Sequence, residues 1–405
     1  MADVQAGIGP FLGVFLVGHG WQSGAIGSVM TIGGVAGMIM TAPAGAFIDE
    51  TTHKRACVIV LGICTLLASM IILASQAFWV VALSQVATAV AGAAIGPALN
   101  GITLGIVRQA GFNRQNGYNQ AFNHAGNLVG AGLSGWLGWM FGLTAVFWLA
   151  AAFGVLTILS VLMIPAAAID DEEARGSVVP AADKAGDSNV PEHGKPSGFG
   201  VLVESKPLLI LAGALALFHL GNGAMLPLFG LAVVSAKLGD PAGFVALTVV
   251  VAQGTMIVTS LIAMHVAEKR GQWLVLLISF AALPVRGFVA AHLITSWGVY
   301  PVQILDGVGA GLQSVAVPAL VARILNGTGR INVGQGIVMT VQGVGASLSP
   351  AIGGWLAQEI GYSPMFMILG SFAFGSIALW IGFHGLLRAA AAPAHGVTPH
   401  AIMAD

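Results

Sequence analysis

Long apolar stretches alternate with short polar breaks along the whole chain. A helix needs roughly 20 apolar residues to cross a hydrocarbon core of about 30 Å. The pattern predicts twelve transmembrane spans, at residues 4–18, 24–47, 56–75, 78–107, 121–141, 144–164, 208–234, 243–265, 273–292, 299–323, 335–357 and 365–387. The first stretch is short, so we expect span 1 to be short or tilted, or to follow a start upstream of Met1.

One polar segment divides the twelve stretches into two sets of six. Residues 170–206 hold twelve of the 31 Asp, Glu, Lys and Arg residues and are rich in Pro, Gly and Ser. Such a segment buries too little apolar surface to offset the entropy of ordering. The predicted domains are an N-terminal six-helix bundle at 1–164, a flexible cytoplasmic tether at 165–206, a C-terminal six-helix bundle at 207–390 and a disordered tail at 391–405.

The composition places this protein in the membrane. Apolar residues make up 57% of the chain and charged residues 8%, against roughly 25% charged in a soluble domain. The formal net charge of −1 leaves no basic face for nucleic acid. The 57 glycines suit membrane helices that pack closely through small residues. The lipid bilayer is therefore the expected partner.

Basic residues predict the orientation. If the tether is cytoplasmic, 13 of the 15 Lys and Arg residues fall on its side of the membrane. Of the other two, Lys237 lies outside and Arg286 lies within a span. Because cytoplasmic loops carry an excess of Lys and Arg, both termini are expected in the cytoplasm of a multi-pass protein of the cell (inner) membrane.

The two halves resemble each other in sequence. QAGIGPFLG at 5–13 matches NGAMLPLFG at 222–230, at an offset of 217 residues. The loop around Arg114 matches that around Arg330 at an offset of 216, and two GWL triplets match at an offset of 219. Because each half has six spans, an even number, the two halves enter the membrane with the same orientation. They are expected to be related by an axis along the membrane normal.

Two loops on the predicted cytoplasmic side share a charged motif. The residues that carry it are Gly45, Asp49, Lys54 and Arg55 in the first loop and Glu268 and Lys269 in the second. Together with the span count and the tether, these loops resemble the major facilitator superfamily of secondary transporters. The resemblance implies an all-α integral membrane fold, with twelve transmembrane helices in two pseudo-symmetric six-helix bundles. We expect the charged loops to act as conformational latches at helix ends; the alternative is a solvated loop that only sets topology.

The same resemblance implies function. It predicts a monomeric carrier of the plasma membrane, not an enzyme and without a cofactor or metal, which works by alternating access. The sequence departs from the superfamily at two places: Thr88 stands where span 4 often has an arginine, and span 5 lacks the Gly-Pro motif of exporters. We therefore carry over no proton role for span 4.

One acidic residue lies well inside a span. Asp306 belongs to span 10, and Arg286 on span 9 lies at a similar depth, so the two side chains are expected to pair. A buried charge in a membrane is expensive and is a functional hypothesis by default. Two interpretations stay open: a structural ion pair that joins spans 9 and 10, or a proton-coupling acid whose charge Arg286 balances.

Polar side chains on the spans that line the cavity in the resembled fold are the other candidates. His219 and Asn222 lie near the middle of span 7, and a histidine there can bind substrate or protons. We predict substrate contacts for Gln5, Asn123, Asn127, His219, Asn222, Gln303, Gln313 and Gln342, and proton coupling for Asp306, Arg286 and His219. The alternative for each is a hydrogen bond between helices.

The sequence thus predicts a transporter of a small polar organic solute, with proton-coupled efflux as the first hypothesis. Proton-linked uptake of an organic anion is the alternative, and a membrane sensor that binds without transporting is the alternative from another class. No HExxH, paired CxxC or P-loop motif supports an enzyme.

Overall fold

The computed structural model describes residues 2–170, 205–238, 240–325 and 331–391, and this part of the chain is almost entirely helical. The helices are α1 (Ala2–Gly18), α2 (Ser23–Glu50), α3 (Lys54–Ala74), α4 (Phe78–Phe141), α5 (Thr144–Leu162), α6 (Lys206–Asn222), α7 (Met225–Ser235), α8 (Pro241–Arg270), α9 (Gln272–His292), α10 (Val299–Ile324), α11 (Ile331–Ile360), α12 (Tyr362–Gly382) and α13 (His384–Ala391). Short 3₁₀ turns lie at Ala166–Ala168 and Ser296–Gly298.

The described helices agree with the predicted spans. Ten segments of the described residues are long and apolar enough to cross a membrane. The other two predicted spans correspond to the 17 residues of α1 and to the second part of α4. Helix α4 continues through both span 4 and span 5, and its backbone departs from helical geometry only at Arg108, where φ is 57°.

Two predicted spans differ from the structure. Span 7 is divided into α6 and α7 by Gly223 and Ala224. The predicted twelfth span ran to residue 387, whereas α12 ends at Gly382 and a separate short helix follows. Most of the predicted tether (171–204) and of the predicted tail (392–405) lies outside the described residues.

Small residues let helices of the same half approach closely. On α10, a Cβ at Gly307 would lie 2.7 Å from the carbonyl oxygen of Ala252 on α8. The hydroxyl of Thr259 on α8 donates to the carbonyl oxygen of Gly307 at 2.9 Å. In lipid there is no hydrophobic driving force for helices to associate. Close packing and hydrogen bonds between helices therefore hold the half together.

The two ends of the bundle differ in charge. Helices begin or end at Lys54, Lys206 and Arg270 at one end, which we call the basic end. Lys54 there is 2% exposed and donates to the carbonyl oxygen of Thr51 at 2.8 Å. The other end, which holds the turns at 19–22, 142–143 and 236–238, is called the opposite end below.

The two halves contact each other toward the opposite end. On α2 and α11, Ser23 donates through Oγ to the carbonyl oxygen of Gly354 at 3.0 Å, and the amide of Ala351 donates to Oγ1 of Thr31 at 3.0 Å. A Cβ at Gly27 would collide with the carbonyl oxygen of Pro350. We call this contact the α2–α11 seam.

A second seam joins α4 and α8. A Cβ at Gly135 would collide with the side chain of Ala246, and one at Gly138 would lie 2.5 Å from the Cβ of Ala242. Both contacts lie within two turns of the opposite end of α8, which begins at Pro241. This contact is the α4–α8 seam.

Candidate functional site

A break in span 7 positions the site. Helix α6 ends at Asn222, and the chain turns through Gly223 before α7 begins. A Cβ at Gly223 would lie 2.9 Å from the carbonyl oxygen of Ala346, so α6 and α11 are in backbone contact here. The amide of Ala224, freed by the break, donates to Oγ of buried Ser349 at 2.9 Å. In lipid, a broken helix is tolerated only when neighbours satisfy the freed groups in this way.

Replacing Ser349 with alanine is expected to destabilise the protein by about 1–3 kcal/mol, because the amide of Ala224 would be buried without an acceptor. Thermal unfolding in detergent measures the change. Ser371→Ala is the matched control, since its exposed hydroxyl donates only to the carbonyl of Ile368 in the same helix. Equal melting temperatures for both variants would show that the break does not depend on Ser349.

The structure brings Arg286 and Asp306 together. Nη1 of Arg286 lies 2.7 Å from Oδ1 of Asp306, and the side chains are 1% and 14% exposed. Asn222, at the break, joins the pair: its Oδ1 accepts from Nη1 of Arg286 at 2.6 Å and its Nδ2 donates to Oδ1 of Asp306 at 3.2 Å. The three side chains therefore link the break in span 7 to α9 and α10.

Arg286 is held on its other side as well. Its Nη2 donates to Oε1 of Gln303 at 3.2 Å, and its Nε donates to the carbonyl oxygen of Val302 at 3.2 Å. Gln303 is fully buried, and its Nε2 has no partner among the described residues. The guanidinium is thus fixed in place, whereas the Asp306 carboxylate is the more accessible member of the pair. We call Asn222, Arg286, Gln303 and Asp306 the charge cluster.

Further polar groups follow α10 from the charge cluster. Gln313 donates through Nε2 to Oγ of Ser279 at 2.9 Å, and Ser279 donates to the carbonyl oxygen of Gly309 at 3.0 Å. His219 lies one turn before Asn222 on α6, and its Nε2 is buried without a partner among the described residues. A buried polar atom without a partner is costly, which makes His219 a candidate for contact with a bound molecule.

The structure also places the remaining candidates, Asn123 and Asn127 of the N-terminal half and Gln342 of the C-terminal half. Asn123 and Asn127 lie on the second part of α4, and Oδ1 of Asn127 is buried without a partner in the described part of the chain. Gln342 is half-buried on α11. The side chain of Gln5 lies outside the described residues. The described side chains of Asn123, Asn127 and Gln342 make no hydrogen bond to the charge cluster.

The predicted latch residues lie where helices meet at the basic end. Arg55 donates through Nη2 to the carbonyl oxygen of Leu162 at 3.1 Å, which ties α3 to the end of α5. Gly45 lies within α2 and Lys269 is exposed on α8. The side chains of Asp49 and Glu268 lie outside the described residues, so the latch role stays a prediction.

Sequence reasoning missed three of the side chains that shape this region. Ser349 and Ser279 are ordinary residues of apolar helices, and only the structure shows what they contact. Gln253 on α8 is half-buried, with Oε1 unpartnered among the described residues. Gly221 and Gly223, on either side of Asn222, were the sequence signal for the break. Glycine is often found where a transmembrane helix is interrupted.

A bundle of two similar halves, with a paired charge beside a broken helix, defines a helical membrane transporter. The profile of the Major Facilitator Superfamily matches residues 3–332, and the chain belongs to this family. The MFS-type transporters MT2531 and Rv2456c, from two strains of Mycobacterium tuberculosis, are each 35% identical to it over 382 residues, which is 94% of this chain and 90% of theirs. The predictions of a transporter and not an enzyme are confirmed.

Solved structures confirm the fold class. A mutant of the nucleoside transporter NupG superposes with a TM-score of 0.73 at 15% identity and covers 95% of both chains. Another structure of NupG gives a TM-score of 0.70 at 16% identity and covers 96% of this chain and 99% of that one. At this level of identity the likeness shows the fold alone.

Proposed function

We propose that this protein moves a small polar organic solute by alternating access and couples the movement to protons through Asp306. The observation that carries the proposal is the charge cluster. It holds an ion pair between Arg286 and Asp306 well inside the spans, and it includes the residue at which span 7 breaks. An intramembrane charge of this kind is the usual mark of a proton or substrate pathway.

The geometry supports a coupling role. Protonation of Asp306 removes the charge that holds Nη1 of Arg286 and leaves Asn222 to share the guanidinium. Because Asn222 ends α6, this rearrangement acts at the break in span 7. Asp306 is also the more exposed partner, at 14% against 1% for Arg286. Proton uptake is thereby linked to the interruption of span 7 between α6 and α7.

The polar groups favour a neutral solute. Asp306 balances the charge of Arg286, and the other candidates are amides and the imidazole of His219. We propose efflux, by exchange of the solute for protons, on the strength of the family resemblance. In this proposal the carrier is monomeric, and its basic end is cytoplasmic, as the excess of Lys and Arg there indicates.

Uptake of labelled solutes into proteoliposomes tests the proposal. We would use uridine, because the fold neighbour NupG is a nucleoside transporter by name, together with glucose, lactate and tetraethylammonium. An acid interior should drive accumulation of uridine or glucose, because protons leave as the solute enters. Accumulation of lactate driven by an acid exterior would instead establish the anion uptake alternative. Saturable binding without any flux would establish a sensor.

A further inference from the structure

We infer that Asn127 and Gln253 form a second solute-binding site, an amide pair across the α4–α8 seam that hydrogen-bonds a neutral solute with one side chain from each half. The inference rests on the proposed transport of a polar solute and adds a site that the charge cluster does not include. The solute class is a neutral molecule that carries at least two hydrogen-bonding groups, such as hydroxyl, amide or imide groups.

The register of the seam places the two amides together. Gly138 on α4 packs against Ala242 on α8. Asn127 precedes Gly138 by 11 residues, and Gln253 follows Ala242 by 11 residues. Eleven residues make three helical turns and return to the same face of a helix, about 16 Å further along. Since the two helices are antiparallel, both amides lie at the same depth below the seam.

Both amides have a buried oxygen without a partner. Oδ1 of Asn127 and Oε1 of Gln253 make no hydrogen bond to any described residue. Hydroxyl groups elsewhere on α8 are satisfied: Thr255 donates to the carbonyl of Val251, and Thr259 donates to that of Gly307. Buried polar groups are nearly always paired, and these two oxygens, on facing helices of different halves, are free to accept hydrogen bonds from one bound molecule.

The surroundings suit a neutral ligand. The residues of α4 from Gln115 to Phe141 and of α8 from Pro241 to Ala267 include no Asp, Glu, Lys or Arg. No atom lies within 4 Å of a Cβ built at Gly126 or Gly254, so the backbone beside each amide is uncrowded. An amide can present its oxygen or its NH₂ group, and two of them recognise paired donors and acceptors without a charge.

The location gives the site a role in the transport cycle. One amide belongs to each half, and the halves meet at the seam three turns away. A solute that bridges both amides is bound fully only while the seam is closed, so its binding favours that state. A ligand shifts a conformational equilibrium through such a difference in affinity.

The test compares Asn127→Leu, Gln253→Leu and the double variant with Gln76→Leu. Gln76 is a matched control because its Nε2 donates within its own half, to the carbonyls of Ile72 and Leu73. Exchange of labelled uridine and of labelled glucose is measured in proteoliposomes without a pH gradient. Each single variant should raise the half-saturating concentration about fivefold to tenfold, the effect of one lost hydrogen bond. The double variant should raise it further than either single variant, because both hydrogen bonds to the solute are then lost.

Thermal unfolding of the solute-free protein separates binding from structure. Since each leucine removes an unsatisfied buried group, the melting temperature should stay the same or rise, whereas an amide needed for packing would lower it. A lower melting temperature, or unchanged half-saturation in both single variants, overturns the inference and leaves the proposed function standing. If the wild type exchanges neither solute, the proposed neutral substrate fails, and the inference fails with it.

Discussion

Replacing Arg286 with leucine is expected to destabilise the protein by about 3–5 kcal/mol, the effect of leaving a buried charge without its partner. Arg286 is 1% exposed and makes four hydrogen bonds, to Asp306, Asn222, Gln303 and the carbonyl of Val302. Its loss leaves the Asp306 carboxylate with only the amide of Asn222 as a described partner. Thermal unfolding and the yield of monodisperse protein in detergent measure the loss.

The double variant Arg286→Leu/Asp306→Leu should recover more than half of that stability, because a buried ion pair can be replaced by apolar side chains at little cost. Solute flux should remain absent in it. Recovery of both stability and flux would show that the pair is only structural. A single Arg286→Leu variant as stable as the wild type would contradict the cluster as described.

Replacing Gly27 with leucine is expected to reduce flux at least tenfold by preventing closure of the α2–α11 seam. A Cβ at Gly27 would collide with the carbonyl oxygen of Pro350, which belongs to the other half. This oxygen is a backbone atom, so it cannot rotate aside as the end of a side chain could. The least costly way to accommodate the leucine is to separate the halves at the opposite end. Overpacking of this kind costs about 1–3 kcal/mol. A cost of about 1.4 kcal/mol already lowers the population of the closed state tenfold.

Gly96→Leu is the matched control, since no atom lies within 4 Å of a Cβ at Gly96. Its flux should stay near that of the wild type. Separation of the halves is measured with the variant Gly13→Cys, in a protein in which Cys57 and Cys64 are replaced by serine. The rate at which this cysteine reacts reports how far the halves have separated. Gly13 packs against Leu231 across the two halves, so the cysteine should react faster in Gly27→Leu. Normal flux in Gly27→Leu would show that the seam is not part of the cycle.

The sequence was enough to predict the spans and the pairing of Arg286 with Asp306. Hydrophobic length sets the spans, because a membrane helix must satisfy its own backbone. The depth of each charged residue follows from its position along a span, so two opposite charges on neighbouring helices could be matched by counting residues.

The contact of Asn222 with the Arg286–Asp306 pair could not be predicted from local sequence. Asn222 reaches Arg286 and Asp306 from the last position of α6, and the interruption that follows it depends on distant residues. Gly223 lies against the backbone at Ala346, and the freed amide is satisfied by Ser349, 125 residues further along the chain. A continuous helix through the same residues has the same hydrophobic pattern.

The contacts between the halves could not be predicted from the sequence either. Asn127 was a candidate from its position on span 5, but Gln253 had no signal of its own. The two are related only through the packing of Gly138 on Ala242. Register between helices that are far apart in sequence is set by shape, and a single sequence does not contain that information in its periodicity.

The most direct measurement of proton coupling is solute accumulation by Asp306→Asn in proteoliposomes with an acid interior. The asparagine mimics the protonated acid, a state that the proposed cycle itself visits, and it can still accept the hydrogen bond from Arg286. The cluster should therefore remain folded, but it cannot bind and release a proton. We predict that the variant exchanges uridine or glucose at close to the wild-type rate without a gradient and fails to accumulate either solute when the gradient is imposed. Accumulation equal to that of the wild type would contradict the coupling role of Asp306.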